Sequence, residues 1–306
     1  MKELIRKSLL SVGALAVGFS EAGDISKDSD HEFKEWIENG FHGEMDYLKR
    51  HSFLRQNTRN VLEDAKTVIS MAFGYGNNIS RDSSLPSIAS YAYYNDYHIV
   101  IRKALKPIVS DFQKAYGGNW RICIDSAPVA ERFWAIKSGI GFRGKNGMVI
   151  VPEYGSNVFL TEILTSVEIE SDISMETECV GCGKCLKICP AGALLGNGCI
   201  DARKCINYLT IEKKSEYSAW EKNLLKNGTG HFYGCELCSK ICPHNMKGSC
   251  SPSSIFSLRP EMLTLKPEDV LSMSEDDFKS FFKDSPIAYG GYERLIRNAL
   301  LLKNKE

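Results

Sequence analysis

The spacing of apolar residues predicts that helices and strands alternate over the first 165 positions. Apolar residues recur every three or four positions in His31–His51 and Tyr97–Tyr116, which is typical of helices with one buried face. A shorter helix is predicted over Ala130–Lys137, before Gly139. Continuous apolar or β-branched runs predict buried strands, and these runs are Lys66–Phe73, Trp120–Ile124, Met148–Val151 and Val158–Thr165. The alternation indicates an α+β or α/β core, with a hairpin or a longer loop joining the last two strands.

The first twenty residues fit two interpretations. Lys2, Arg6 and Lys7 precede the mostly apolar run Leu9–Phe19, as they would in a signal peptide. Glycines interrupt that run, however, and no small-residue cleavage site follows it, so the pattern favours an amphipathic helix followed by a strand at Ala14–Phe19. No apolar stretch reaches the roughly 18 residues that a transmembrane helix needs. We therefore expect a cytoplasmic protein that has no membrane span.

The pattern changes where a cysteine-rich region begins, and this change predicts three segments. Residues 1–166 form the α/β catalytic domain, residues 167–250 a small ferredoxin-like domain, and residues 251–306 a short C-terminal helical segment. A helical insert is predicted at 205–226. The last segment should contain one helix near Pro267–Lys283 and another at Tyr292–Lys303.

Length and charge narrow the class of protein further. A chain of 306 residues with 43% hydrophobic content can build a substantial core. Lys+Arg and Asp+Glu both number 38, so the chain is formally neutral. This balance argues against a generally basic surface that coats nucleic acid, and it leaves room only for local basic patches. Eleven cysteines in a chain of this length do not indicate a disulfide scaffold, which is typical of short secreted chains.

Eight of those cysteines carry the strongest chemical signal. The first block is C-x2-C-x2-C-x3-C-P, the bacterial ferredoxin run, and the second is C-x2-C-x3-C-P. In two-cluster ferredoxins the fourth cysteine of each run ligates the other cluster. One 4Fe–4S cluster is therefore assigned to Cys179, Cys182, Cys185 and Cys242. The other takes Cys189, Cys235, Cys238 and one further ligand, because the second block is one cysteine short.

Two cysteines compete for that eighth position. Cys199 lies in a glycine-containing loop, whereas Cys205 opens an apolar segment that can pack as a helix beneath a cluster. The pattern favours Cys205. Cys199, Cys123 and Cys250 are then interpreted as ordinary free thiols.

The common nucleotide and cobalt motifs do not explain the rest of the chain. Gly139-Ile-Gly-Phe-Arg-Gly144 has the letters of a dinucleotide-binding turn, but it follows a short helix instead of a strand. Asp96-Tyr-His98 begins like a D-x-H-x-x-G cobalt-ligating motif, but Ile101 stands where the glycine is needed. Two iron–sulfur clusters imply electron transfer, so the N-terminal region must contain an acceptor.

Several segments of that region resemble the epoxyqueuosine reductase family, in the family's order and from about residue 3 to 250. The resembling segments are Asn95–His98, Ile124–Arg132, Gly141–Asn146, Gly155–Glu162 and Cys205–Glu212. The family contains cobalamin, as cob(II)alamin, and two 4Fe–4S clusters. It removes the epoxide oxygen of epoxyqueuosine at the tRNA wobble position. The resemblance also supports Cys205 as the eighth ligand.

The resemblance implies roles for particular residues. Asp125 matches the family's proton donor, and we expect desolvation to raise its pKa so that it can act as an acid. Tyr97 is the second candidate for that role. Residues expected to contact the cofactor are Arg55, Tyr97, His98, Asp125, Arg143, Lys145, Asn146 and Ser156. Arg132 is a further cation that is expected to hold the corrin or RNA.

The expected partners are an anticodon stem-loop that carries epoxyqueuosine and an external low-potential electron donor, and the protein is expected to be a monomer. Candidate RNA contacts are the basic strip Lys49–Arg59 and the pair Arg294 and Arg297. Many relatives continue into a longer C-terminal helical-repeat region, so we expect a smaller docking surface for tRNA here. Two alternatives remain open at this point, namely a cobalamin-dependent reductive dehalogenase and a ferredoxin-type electron carrier.

Overall fold

The computed structural model describes residues 1–76, 79–246 and 251–303. The strands are short except for two central ones of eight residues. They are β1 (Ala16–Glu21), β2 (Thr67–Gly74), β3 (Ser87–Ile88), β4 (Trp120–Cys123), β5 (Phe142–Arg143), β6 (Val149–Ile150), β7 (Val158–Thr165) and β8 (His231–Tyr233).

The helices of the N-terminal region are α1 (Lys2–Ser11), α2 (Lys27–Glu38), α3 (Asp46–Arg50), α4 (Ser52–Gln56), α5 (Tyr97–Tyr116) and α6 (Glu131–Lys137). Those of the cysteine-rich region are α7 (Lys184–Ile188), α8 (Ile206–Ile211), α9 (Ala219–Asn223), α10 (Leu237–Lys240) and α11 (Pro243–Met246). The C-terminal region contributes α12 (Glu261–Thr264), α13 (Pro267–Leu271), α14 (Glu275–Phe281) and α15 (Tyr292–Lys303).

An antiparallel four-stranded sheet in the order β1-β2-β7-β4 forms the centre of the molecule. Every residue of β2 is buried, because helices cover both faces of the sheet. Ile69 and Ile163 face the core formed with α1 and α5, whereas Val68 and Leu164 face Trp134 of α6. In the sequence, these strands are therefore continuous apolar runs, and they do not alternate apolar with polar residues. The arrangement is α+β.

Most of the predicted elements are confirmed. α5 and α15 have the predicted bounds, and the strand at the N-terminus is β1, which pairs with β2. β6 and β7 do not form a hairpin with each other. β6 pairs with β5, and β7 lies in the central sheet, so the connection between them is the longer-loop alternative.

Two predicted helices are wrong because each is interrupted. The helix expected over His31–His51 is α2 and α3 separated by a turn, in which Gly40 and Gly43 have φ of +67° and +60°. A side chain at Gly43 would also collide with the Tyr208 hydroxyl, at 2.4 Å from its Cβ. The helix expected over Pro267–Lys283 is α13 and α14, since Ser274 caps a new helix with its side chain.

One hydrophobic core contains side chains from the catalytic region, from β8 and from the C-terminal helices. Phe232 and Tyr233 of β8 and Leu295 of α15 belong to it together with Phe19 of β1. The division into segments 1–166, 167–250 and 251–306 remains a prediction about folding units. In the described part of the chain, no helix is both long enough and apolar enough to cross a bilayer.

Candidate functional site

A cleft of about 570 Å³ opens at the edge of the sheet where β4 and β7 meet the start of α5. One wall is apolar and the other carries ionisable groups, and the lining residues are Tyr97, Asp125, Glu131, Arg132, Met148, Val149, Ser156, Val158, Phe159 and Leu160. The Tyr97 ring stacks on Phe159 with 4.1 Å between centroids and 10° between planes. An apolar wall opposite a few polar groups is the usual character of a cofactor or substrate site.

Asp125 sits on a strained turn directly after β4. Its φ is +43°, which is rare for a residue other than glycine. Three contacts hold this conformation. The Tyr97 hydroxyl donates to Asp125 Oδ2 at 2.5 Å, His98 Nε2 lies 3.3 Å from the same oxygen, and the Asp125 N–H donates to Glu131 Oε1 at 2.6 Å. Strain maintained by several contacts is common at functional sites.

These contacts place the negative charge on Asp125. Burial works against the charged carboxylate, but hydrogen bonds from His98 and Tyr97 outweigh it and lower the pKa of Asp125. The predicted rise in the Asp125 pKa is therefore wrong. Sequence gave no sign that two donors would converge on one oxygen. The side chain is enclosed by protein yet 57% exposed through the cleft, so hydrogen bonding dominates over desolvation.

The proton of this group resides on His98. Burial lowers the pKa of His98, but contacts with Asp125 and Asp96 outweigh it and raise that pKa to about 9. Asp96 Oδ1 lies 2.8 Å from His98 Nδ1 and also accepts the His98 backbone N–H, as the cap of α5. His98 is thus held between two carboxylates, behind the cleft residue Asp125.

Two further carboxyl groups lie behind Asp125. Burial, followed by the Asp125 charge, raises the pKa of Glu131 to about 8. Glu162 of β7 is fully buried, and within the described residues neither of its oxygens has a hydrogen-bond partner. Burial, followed by the Glu131 charge, raises its pKa as well, while the nearby Arg55 opposes the rise. The negative charge of the site is consequently concentrated on Asp125.

Four cysteines line a second cavity of about 340 Å³, and they are Cys179, Cys182, Cys185 and Cys242. No three His, Cys, Asp or Glu side chains of the described residues converge closely enough to hold a single metal ion. A cubane cluster presents four iron corners, so its thiolates lie farther apart than the ligands of one ion. His244 also lines this cavity, and its Nε2 is buried without a partner in the described chain. A cluster sulfide is an acceptor that would suit this N–H, so the residues fit a 4Fe–4S cluster.

The remaining predicted ligands form a second group. Burial chiefly, and then the charges of neighbouring cysteines, raises the pKa of both Cys235 and Cys238 to about 12. Cys189 and Cys205 are among the neighbours that act on each of them. Such mutual repulsion between thiolates is relieved when they ligate iron. This donor set also fits a cluster.

The other cysteines lie elsewhere. Cys199 is next to the charged groups of Arg143, Glu32 and Asp201. Cys123 is buried in the sheet, and burial raises its pKa to about 12. Cys250 falls outside the described residues.

The hairpin β5–β6 separates the cleft from the first cysteine cavity. Its residues Lys145, Asn146 and Ile150 line the cysteine cavity, whereas Met148 and Val149 line the cleft. Hydrogen bonds also join the two regions across the opposite wall. Ser156 of the cleft contacts the Ser239 hydroxyl at 3.0 Å, and its N–H donates to Asn245 Oδ1 at 2.6 Å. The two sites are therefore neighbours in one scaffold.

Residues 55–126 match the family described as "Epoxyqueuosine reductase QueG, DUF1730", and residues 178–245 match the "4Fe-4S double cluster binding domain". The epoxyqueuosine reductase of Cellulophaga algicola is 31% identical over 98% of this chain and 97% of its own length. That of Escherichia coli is 33% identical over 93% of this chain and 77% of its own length.

The chain belongs to the epoxyqueuosine reductase family. The predicted resemblance is thereby confirmed, as is the mixed fold with a double-cluster region.

Solved epoxyqueuosine reductases share the fold. The enzyme of Streptococcus thermophilus is 28% identical with a TM-score of 0.86, over 98% of this chain and 80% of that one. A reductase solved with an epoxyqueuosine-modified tRNA-Tyr stem loop is 26% identical with a TM-score of 0.87, over 99% and 81%. The Bacillus subtilis enzyme, solved with its catalytic aspartate loop swung out of the active site, is 28% identical with a TM-score of 0.84, over 99% and 81%.

The residues predicted from the epoxyqueuosine reductase resemblance occupy three places. Tyr97, Asp125, Ser156 and the additional cation Arg132 line the cleft, and His98 contacts Asp125. Lys145 and Asn146 line the neighbouring cysteine cavity. The Arg143 guanidinium lies 2.6 Å from Glu32 and 3.1 Å from the Gly198 carbonyl, and Arg55 lies over the Phe33 ring at 5.7 Å.

Three of the arginines predicted to contact RNA donate hydrogen bonds to backbone carbonyls of the protein itself. Arg59 donates to the carbonyls of Ala22 and Ala65, and Arg297 donates to Ser215 and Lys213 carbonyls at 2.6 and 2.9 Å. Arg294 likewise donates to backbone carbonyls, and of these three residues only Arg59 is exposed. Lys49 and Arg50 remain exposed on α3.

Three residues of the site, Glu131, Glu162 and Phe159, were not predicted from the sequence. Glu131 and Phe159 were visible only as members of the resembling segments. Glu162 had a signal of its own, because a glutamate inside an apolar strand pattern is costly to bury and is usually functional or paired.

Proposed function

We propose that this chain reduces epoxyqueuosine to queuosine at the tRNA wobble position, with cobalamin bound in the cleft and a 4Fe–4S cluster in each cysteine group. The observation that carries the proposal is the strained, triply held Asp125 in a cleft that shares the β5–β6 hairpin with a four-cysteine cavity. An acid and an electron source are both required, because converting an epoxide to an alkene consumes two electrons and two protons.

The cleft residues suit cobalamin, and several of them would hold it. The apolar side chains Met148, Val149 and Leu160 offer a wall to the corrin, while Arg132 and Ser156 offer donors to its polar rim. Bound cobalamin supplies a reducible cobalt that engages the substrate, and the protein supplies orientation and protons. No histidine is among the described residues that line the cleft. The Co(II) EPR spectrum should therefore lack splitting from an axial protein nitrogen.

Asp125 is the group that presents a proton to the epoxide oxygen. Because both Tyr97 and His98 reach Oδ2, and no donor from the described chain reaches Oδ1, that second oxygen is left to the substrate. In the resting site the proton is held on His98 Nε2. It moves to Asp125 Oδ2 when substrate binding removes water from the cleft and makes the charge on Asp125 more costly, and a half-turn of the carboxyl group about its χ2 bond then presents the O–H to the epoxide oxygen.

Glu131 is a positioning residue for this step. Its Oε1 accepts the Asp125 N–H and fixes the turn at positive φ, so the carboxyl points into the cleft. The related Bacillus subtilis enzyme has been solved with its catalytic aspartate loop swung out. A turn that has two positions needs such a contact to favour the inward one.

The proposal also covers the RNA partner, the electron donor, the cellular location and the oligomeric state of the protein. The partner is the anticodon loop, whose unpaired nucleotides can be splayed into a protein pocket. An external low-potential donor reduces the clusters. We propose a cytoplasmic monomer whose tRNA binding is weak and salt-sensitive, with affinity falling steeply from about 50 to 200 mM salt.

The test uses the holoenzyme, purified without oxygen after cobalamin feeding. It is reduced chemically and mixed with an anticodon stem-loop that carries epoxyqueuosine. We expect the nucleoside to lose one oxygen atom, as measured by mass spectrometry. Turnover of full-length tRNA alone would contradict recognition of the substrate through its anticodon stem-loop. No turnover of either RNA would contradict the function itself.

A further inference from the structure

Two tyrosines are exposed at the rim of the cleft and come from distant parts of the chain. Tyr47 belongs to α3 and is 36% exposed. Tyr289 belongs to the 3₁₀ helix Pro286–Gly290 and is 57% exposed. Both rings therefore present accessible aromatic surface.

The two tyrosines are held together from below. The Tyr289 hydroxyl donates to Glu212 Oε2 at 3.3 Å. Tyr47 follows Glu44 by three residues, and the Glu44 carboxylate accepts the Lys214 N–H at 2.6 Å, so α3 is held beside the segment that carries Glu212. Arg294 packs its guanidinium against the Tyr289 ring, 5.9 Å from the centroid, and donates to the Ile211 carbonyl at 2.8 Å. The tyrosines are thus fixed by the insert helix α8 and by α15 instead of rotating freely.

This pair lies close to the catalytic carboxylate. Burial, followed by the charges of Glu212 and, more weakly, Asp125, raises the pKa of Tyr47. The same Asp125 charge contributes to the raised pKa of Glu212 and of Tyr289, in each case after burial. A hydrogen bond also joins this rim to the cleft: the N–H of Asp96, next to the cleft residue Tyr97, donates to the Asp284 carbonyl at 2.7 Å, two residues before the 3₁₀ helix that carries Tyr289. The tyrosine pair therefore lies beside the place where the modified base must enter.

We propose that Tyr47 and Tyr289 form a stacking platform for the unpaired anticodon-loop nucleotides that flank epoxyqueuosine. This inference rests on the proposed function and names the part of the substrate that the rim recognises. Aromatic side chains accept any base on their faces, whereas the modified base itself goes to the cleft. One face of Tyr289 is backed by Arg294, so the ring presents its other face.

Nucleic acid is a better occupant of this rim than a protein partner. The helix that carries Tyr47 also carries the exposed cations Lys49 and Arg50, which suit a phosphate backbone passing over the platform. The predicted arginine contacts Arg294 and Arg297 are occupied by backbone carbonyls. In a formally neutral chain, stacking then supplies affinity that a positive field does not.

The experiment measures binding of an epoxyqueuosine stem-loop to the holoenzyme by fluorescence anisotropy. A second probe is 2-aminopurine placed next to the modified base, because its fluorescence is quenched on stacking. Tyr47→Ala and Tyr289→Ala should each weaken binding about fivefold to a hundredfold and relieve the quenching, as loss of one stacked base predicts. In both alanine variants KM should rise while kcat changes little. Tyr289→Phe should keep both binding signals and the wild-type KM.

Tyr116→Ala is the matched control. Tyr116 ends the 20-residue helix α5 whose first residue is Tyr97, so it lies roughly 28 Å from the cleft. It should leave affinity unchanged. Tyr289→Leu replaces Tyr289→Ala if the latter lowers the melting temperature, since it keeps apolar bulk without an aromatic face.

The outcomes distinguish failure of the stacking platform from failure of the proposed function. Unchanged affinity and quenching in both alanine variants of an active enzyme overturn the platform and leave the proposed function standing. A wild-type enzyme that binds the stem-loop but does not reduce it overturns the proposed function and not the platform. Weaker binding in Tyr289→Phe equal to that in Tyr289→Ala overturns stacking in favour of the hydroxyl contact.

Discussion

The cysteine-rich region and the catalytic cleft obtain their chemistry in different ways. In the first, residue type and spacing alone identify the donor groups, because closely spaced thiolates have few other uses. In the second, Tyr97, His98, Asp125 and Glu131 are ordinary residues whose meaning comes from their convergence after folding. A metal site can therefore be recognised from residues that lie close together in the sequence. The charge state of a carboxyl group in a cleft depends instead on which groups the fold packs around it.

The largest expected effect concerns Cys205, the predicted eighth ligand of the cysteine-rich region. Cys205→Ala should remove one of two cubanes, so that iron falls from about eight to about four per chain and turnover is abolished. Cys199→Ala is the matched control and should retain both clusters, because Cys199 lies next to charged residues. Iron analysis and EPR of the reduced protein make the measurement. A full iron count in Cys205→Ala would exclude it as a ligand.

The next effect tests the cleft. Asp125→Asn keeps the shape of the side chain but cannot donate a carboxyl proton. Single-turnover rates should fall on the order of 10²-fold or more, while clusters and bound cobalamin remain. Visible spectra check that both cofactors are present. Near-normal turnover would move the acid role to Tyr97, which donates to the same oxygen.

A smaller effect concerns pH. The pKa of His98 is raised to about 9, so the imidazolium that supplies Asp125 is present at neutral pH and lost as pH rises through about 9. Turnover should fall about tenfold per pH unit above that value, and His98→Gln should flatten this limb of the profile. The stabilising contribution has the same sign: it is complete below the unfolded pKa of roughly 6.5 and disappears as pH rises through about 9.

The contribution of Asp125 to stability depends on pH in the opposite direction. The pKa of Asp125 is lowered, so its stabilising contacts are complete above the unfolded pKa of about 3.9 and are lost as pH falls. Thermal unfolding measured across pH in wild type and His98→Gln checks both directions. Identical pH dependence in the two proteins would remove His98 from the scheme.

The smallest effect concerns the C-terminal region, outside both sites. Arg297 binds several backbone carbonyls, and its guanidinium lies 4.0 Å from the Tyr217 ring centroid. Arg297→Met should reduce stability by about 1–3 kcal/mol, because those carbonyls lose a charged donor. Its affinity for the stem-loop should change less than that of Arg50→Ala, an exposed cation on α3. The reverse order of affinities would restore Arg297 as an RNA contact.

Sequence alone predicted most of the helices and strands and the iron–sulfur character of the cysteine-rich region. α5 and α15 were predicted with their observed bounds, because long periodic runs with clear stops have few alternatives. Helices interrupted at Gly40 and before Ser274 were missed, since apolar periodicity continues across a turn when both helices pack on one core. The family followed from several short segments in a fixed order.

Only the tertiary structure decided which groups carry charge and which surface is free. The pKa of Asp125 is lowered instead of raised because Tyr97 and His98 reach the same oxygen, and hydrogen bonding to a carboxylate outweighs its desolvation. Arg294 and Arg297 face inward because exposed helix-end carbonyls of the insert need donors. Sequence specifies the groups available to a site, but their protonation and accessibility depend on distances that exist only after the chain has folded.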